Sequence, residues 1–308
     1  MTPLPPYRRG QREAAIINTI SVQGSPNRLV LNNDGSKLYV ASSTTPRGIT
    51  VIDTAKMRVL KMIVEVGSPI WLAMHPTAQR LYASDNSRAA GTPITVIDTS
   101  NDTVIEQIRG FTTINGMALN STGASLYVAD DGASQIVAID TTNHQRISTT
   151  AVRYPNDICV APGNARSHVA SVGEHWTGIN LGTNQREFQT RTGTGVPTSI
   201  AHARFAARVY ITYRETRRLY IGDTTTKETS SILNDLLGPF QIAFHTMLER
   251  AYLTETDGNQ VSIIDTRTQT VTGTIQGFYK PRGIVVAPSG RIAYVANIGN
   301  STIAEVRL

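Results

Sequence analysis

Short apolar runs separated by brief polar turns recur along the whole chain, and within them the two-residue alternation of a strand prevails. The first unit shows four such runs. Leu29-Val30-Leu31 is followed by a turn at Asn32-Asn33-Asp34-Gly35, then by Leu38-Tyr39-Val40-Ala41, Ile49 to Ile52, and Val59 to Val66. The segment Val51-Ile52-Asp53-Thr54 returns at Val96 to Thr99, Ala138 to Thr141, Ile179-Asn180, Ile221 to Thr224 and Ile263 to Thr266, with a degenerate copy at Glu305-Val306-Arg307. Taking Asp53, Asp98, Asp140, Asn180, Asp223, Asp265 and Arg307 as equivalent, the spacings are 45, 42, 40, 43, 42 and 42 residues. A period in the low forties built of short strands predicts blades closed around an axis.

The fold class expected is therefore all-β: a seven-bladed β-propeller of four-stranded blades, one domain over residues 14–308 after a tail of residues 1–13. The last repeat supplies three strands. Ala14 to Val22, followed by Gly24-Ser25-Pro26, match Val59 to Val66 followed by Gly67-Ser68-Pro69, so the N-terminal strand is predicted to complete the C-terminal blade and cover its edge. Tyr39, Tyr82, Tyr127, Tyr210, Tyr252 and Tyr294 recur in the second strand, and His168-Val169 is the copy lacking the tyrosine.

The stretches Asp34-Gly35-Ser36-Lys37-Leu38-Tyr39-Val40 and Ser289-Gly290-Arg291-Ile292-Ala293-Tyr294-Val295-Ala296-Asn297, with the Val-Ile-Asp-Thr segments, resemble the YVTN repeat family of seven-bladed propellers over residues 14 to 308. Repeats four and five depart most, at Asn180 and Gly222.

A net charge of +6 arises from 24 arginines and five lysines scattered through the repeats. Without a continuous basic stripe or stacking aromatics, that charge points to an anionic small ligand rather than to nucleic acid. No run reaches the roughly 20 apolar residues of a membrane span, and the first thirteen residues lack the apolar core of a secretory signal. The expected compartment is cytoplasmic by default; an exported form trimmed of its signal would read the same way. Cys159, the one cysteine, sits in an inner-strand run and reads as an inert thiol.

In an up-and-down blade with strands a to d from the axis outward, the a–b and c–d turns share one end and the b–c and d–a connections the other. The first end is short and polar, at Asn32–Lys37, His75–Arg80 and His245–Arg250. The second carries Trp71, Phe111, Tyr154, Phe240, Phe278 and Tyr279 with Asp85, Asp130, Glu174, His175, Arg214, Glu215, Glu255 and Asp257. Aromatic walls with a few polar groups are the composition of a binding site, so Trp71, Tyr154, Phe240, Tyr279, Arg214, Arg282 and Asp85 are the candidate ligand contacts. His75, His202 and His245 read as turn formers at equivalent positions, and His168 as a substitute for a strand leucine. His175, oriented by Glu174, is the candidate acid/base.

Asn115-Gly116 and Pro155-Asn156-Asp157 resemble the Pro-Asn-Gly loops of calcium-dependent, gluconolactonase-type lactonases. That resemblance implies a divalent, calcium-like cation held by Asn115, Asn156, Asp130 and Glu255, with Arg28, Arg47 and Arg282 as neighbouring cations that would neutralise the carboxylates. The leading expectation is a small-molecule-binding propeller, with or without catalysis. The alternatives are a metal-assisted lactone hydrolase or a lyase using His175, and a protein-interaction scaffold.

Overall fold

The computed structural model of the chain describes residues 13–86, 91–173, 175–193 and 195–308. Seven antiparallel sheets of four strands each account for the architecture, and among the described residues there is no α-helix, only a 3-10 turn at Asp131–Ala133. In blade 1 the strands are Pro26–Leu31, Lys37–Ser42, Gly48–Asp53 and Arg58–Ile63. The first strands of neighbouring blades touch one another around the axis. Blade 7 is completed as its repeat requires: Ala15–Ser21 pairs with Thr302–Arg307, Ala15 opposite Arg307 and Ser21 opposite Thr302.

The core lies between blades. Second and third strands are buried on both faces, which is why Leu38-Tyr39-Val40-Ala41 and Ile49-Thr50-Val51-Ile52 are almost wholly inaccessible while Arg58–Leu60 on the outer strand are exposed. Each seam holds an apolar cluster from two blades, as where Tyr39, Val51 and Ile63 meet Leu72, Leu81 and Ile97. The N-terminal strand serves two seams, with Ile16 packed beside Phe278 and Ile20 beside Leu29.

The repeated Asp-Thr pair is a turn device. Asp53 Oδ1 accepts the backbone N–H groups of Ala55 and Lys56 at 3.0 and 3.1 Å, and Asp223 and Asp265 do the same in their blades. Asn180 keeps this function through its carbonyl, at 2.9 and 3.2 Å from the N–H groups of Gly182 and Thr183. The second-strand tyrosines join blades: Tyr39 donates to Asp102 Oδ1 at 2.6 Å and Tyr210 to the Thr266 carbonyl at 3.5 Å, each on the c–d turn of the next blade.

Register corrects two readings. His168 pairs with Cys159 as Tyr39 pairs with Val30, so it replaces the tyrosine and not the leucine, whose place Ser167 takes. The residue equivalent to His75 and His245 is Ala203, since all three backbone N–H groups donate to the carbonyl five residues on; His202 ends the inner strand one position earlier. His75 and His245 do form turns, with Nδ1 accepting two N–H groups each.

The irregular repeats four and five explain each other. Trp176 is fully buried at the position of Ile49, edge-on to Phe188 with ring centroids 4.9 Å apart. Room for the indole comes from Gly222, where a Cβ would lie 2.6 Å from Cζ3 of Trp176, and room for Phe188 from Gly178, whose Cβ would overlap that ring.

Candidate functional site

Six of the inner strands carry a register shift just after their first residue, a proline in five of them: Pro26, Pro69, Ile114, Pro155, Pro239 and Pro281. The shift leaves the second residue out of the regular ladder in all six strands, and the third as well in those opened by Pro26, Pro69, Pro239 and Pro281, as bulges beside functional sites do. The third position, counted from the same start, brings Arg28, Trp71, Gly116, Asp157, Ser199, Gln241 and Gly283 into one tier around the axis. Glycine is needed where strands crowd: a Cβ on Gly116 would lie 2.9 Å from Cα of Asp157.

A cavity of about 150 Å³ lies in this tier, lined by Arg28, Trp71, Met117, Asp157, Ser199 and Gln241 among others. Arg28 is buried, its guanidinium 3.8 Å from the Trp71 ring centroid and 5.5 Å from that of Phe240, and Nη2 donates to the Thr198 carbonyl at 2.8 Å. Asp157 is also buried; its oxygens accept the N–H groups of Ile158 at 2.8 Å and Ile200 at 2.9 Å. Burial pushes the Asp157 carboxyl up to about 6 against the pull of Arg28 and those two N–H groups. Burial likewise lowers Arg28 to about 10, with Asp157 opposing and Arg282 adding to the fall.

Beside this tier a second cavity, of about 450 Å³, is lined by Val196, Thr198, Arg214, Glu215, Arg217, Phe240 and Asp257. Arg214 reaches Asp257 with two nitrogens, at 2.6 and 3.3 Å. Arg282 lies 5.0 Å over Phe240, so that ring faces two guanidiniums, and the buried Nε of Arg282 has no hydrogen-bond partner. Burial and the charge of Arg214 lower the Arg282 pKa, against the attraction of Asp257.

Of the residues expected to bind ligand, Trp71, Phe240 and Arg214 thus line two adjoining cavities, and Arg282 stacks on Phe240. Tyr154 and Tyr279 do not join them; both are exposed, Tyr154 beneath Arg153. Asp85 serves its own blade, accepting the N–H of Ser68 at 2.9 Å. His175 opens the third strand of blade 4, two strands out from the axis, and Glu174 lies outside the described residues.

Three of the four residues expected to hold a cation have other hydrogen-bond partners. Asp130 Oδ1 accepts the N–H groups of Thr112 and Thr113 at 3.0 Å each, and Glu255 accepts from Leu237 N–H and the Ser262 hydroxyl. With Asn297, which holds the N–H of Tyr279 at 3.2 Å, these residues at the end of strand b anchor the preceding d–a loop, a task that uses their oxygens in place. Asn156 donates to the Pro197 carbonyl, while Asn115 stands on another inner strand. Among the described residues no three His, Cys, Asp or Glu side chains cluster as a metal site would require.

Sequence reasoning passed over Asp157 and Gln241 and took Arg28 only as a neutralising neighbour. The signal was the shared third position from the strand-opening proline, where a charged residue in an otherwise apolar inner strand faces the axis.

No protein-family model matches the sequence, and no curated protein matches it. Among solved structures the chain is similar to Kuenenia stuttgartiensis hydrazine synthase, at 15% identity and a TM-score of 0.82 over 98% of this chain and 99% of that one. It is also similar to the Myceliophteria thermophila Cps50 (Swd1) β-propeller domain, at 12% identity and a TM-score of 0.79 over 96% of this chain and 100% of that one. At such identities the likeness is one of fold, and it agrees with a seven-bladed β-propeller.

Proposed function

We propose that the protein binds a small anionic molecule at the b–c/d–a end, in the cavity lined by Arg214, Arg217 and Phe240, with Arg282 stacked on the Phe240 ring. The observation that carries this reading is the concentration of guanidiniums at one aromatic wall: Arg28 and Arg282 lie over Phe240, which with Arg214 and Arg217 lines a cavity of about 450 Å³. Arg28, 5.5 Å from the Phe240 ring centroid, adds positive potential, and the planar guanidinium fork suits carboxylate or phosphate. The resemblance of the repeats to the YVTN family supports a binding propeller without naming the ligand. The lactonase alternative loses support because Asp130 and Glu255 hold loops, and the His175 alternative because its strand stands away from both cavities.

Calorimetric titration with a panel of di- and tricarboxylates, aromatic carboxylates and sugar phosphates tests the reading. At least one class should bind, and Arg282→Ala and Trp71→Ala should each weaken it about tenfold or more, a cost of about 1.4 kcal/mol, while His75→Ala and His245→Ala change it less than about twofold. Absence of binding by every class, or equal binding by Arg282→Ala, refutes it.

A further inference from the structure

The opposite end of the molecule carries a third cavity, at the seam between blades 4 and 5. Its volume is about 360 Å³, and its walls include His168, His202, Arg204, Phe205, Thr224 and the alanines of the two a–b turns. The cavity has a cause in the repeat. Where other blades place a tyrosine that reaches the next blade's c–d turn, blade 4 places the shorter His168, and Thr224 on the facing c–d turn is left lining open space.

The hydrogen bonds fix both imidazoles. The indole N–H of Trp176 is donated to His168 Nδ1 at 3.1 Å, so in the neutral ring the proton sits on Nε2, a donor. That Nε2 is buried and has no partner. His202 uses Nδ1 as donor to the Ala203 carbonyl at 2.7 Å, which leaves its Nε2 an acceptor. Burial lowers the pKa of both rings, His168 to about 3, so both are neutral at pH 7. The ring centroids are 5.5 Å apart, so the two imidazoles stand side by side at one cavity, His202 partly exposed and His168 fully buried behind it. Arg204 supplies the exposed donor and lies 5.9 Å from the ring of Phe205, whereas Arg166 is committed to Glu187.

We infer that this cavity is a binding site for a flat molecule bearing a carboxamide edge, its carbonyl accepting from Arg204 and its N–H donated to His202 Nε2, with the His168 ring packed behind. The alanine walls and Phe205 suit an apolar ring behind that edge. A carboxylate would fit less well, because its second oxygen would meet the lone pair of His202. The site is separate from the arginine-lined cavities at the other end and stands independently of the reading proposed for them.

NMR of protein labelled with ¹⁵N-histidine tests it, using nicotinamide and benzamide as probes with nicotinate and benzoate as their matched carboxylates. The free protein should show the Nε2–H tautomer for His168 and the Nδ1–H tautomer for His202. Both amides should shift these resonances saturably, with Kd in the range of about 1 mM or below and the carboxylates at least about tenfold weaker. His168→Tyr, which restores the residue of the other repeats, should abolish the response. Because that change also disturbs Trp176, His202→Phe is the second variant and should weaken the amides while leaving the carboxylates nearly unchanged. Arg282→Ala should leave all four titrations unaffected. Histidine resonances unmoved by either amide, which would assign the space to a bridging water, carboxylates binding as tightly as amides, or undiminished amide binding in His202→Phe would each overturn the inference.

Discussion

Arg28 rests its guanidinium 3.8 Å from the ring centroid of Trp71, the residue that holds the same register position one blade further on. The contact lets a cation be buried: one face meets the indole, one nitrogen donates to the Thr198 carbonyl, and Asp157 supplies the opposite charge from across the tier. Arg28→Met should therefore raise the Asp157 carboxyl above its present value of about 6, because its largest favourable interaction is removed while burial remains. Carboxyl ¹³C titration of the two proteins measures this, and an unchanged Asp157 would show that Arg28 is electrostatically remote.

Asp157 also makes stability depend on pH. Its carboxyl titrates near 4 when unfolded and at about 6 when folded, so the folded state holds an extra proton between these values. The corresponding stability is fully present below about pH 4 and is lost as pH rises through about 6. It amounts to roughly 1.4 kcal/mol for each tenfold difference in proton affinity between the two states. Relative to Asp157→Asn, the wild-type melting temperature should fall between pH 4 and pH 7. A constant difference would mean that the carboxyl is unperturbed.

His168 slopes the other way. Its folded pKa of about 3 lies below the usual 6.5, so below pH 6.5 the unfolded chain takes up a proton that the folded chain refuses. The contribution is present above 6.5 and is lost as pH falls towards 3. His168→Gln, whose amide oxygen can still accept the Trp176 N–H, should melt progressively closer to wild type as pH drops from 7 to 4; parallel pH profiles would contradict the depressed value.

Gly222 and Trp176 should be coupled. Gly222→Ile forces the indole aside and should cost about 1–3 kcal/mol or more, and Trp176→Ile leaves a void worth several kcal/mol. The double variant restores the pattern of the other repeats, so its loss should be smaller than the sum of the two by at least about 1 kcal/mol. Additive denaturation energies would mean that the two residues are not filling one space.

Closure rests on a single strand. Removing residues up to Ser21 bares the Thr302–Arg307 edge and takes Ile16 and Ile20 from two seams, so aggregation or a large fall in melting temperature is expected. A deletion that melts like the intact chain would require another route of closure.

The sequence by itself determined the number of blades, the four strands of each and the strand that joins the ends, because each is written in local spacing: alternation makes the strands, Asp-Thr closes the c–d turn, and the period counts the units. It also located Trp71, Phe240, Arg214 and Arg282 on one end, since chain topology alone assigns loops to ends. What it left open depends on register and on contacts made only in the folded chain, some across a loop and some across the ring. The oxygens of Asp130 and Glu255 look free to ligate a cation until the d–a loops fold onto them, and His202 looks like a turn residue until register shifts it by one. Arg28 and Asp157 become a site only when the ring closes and brings inner strands from blades 1 and 4 to the same axis. Spacing along a strand fixes which face a side chain takes; only closure of the ring fixes what it meets there.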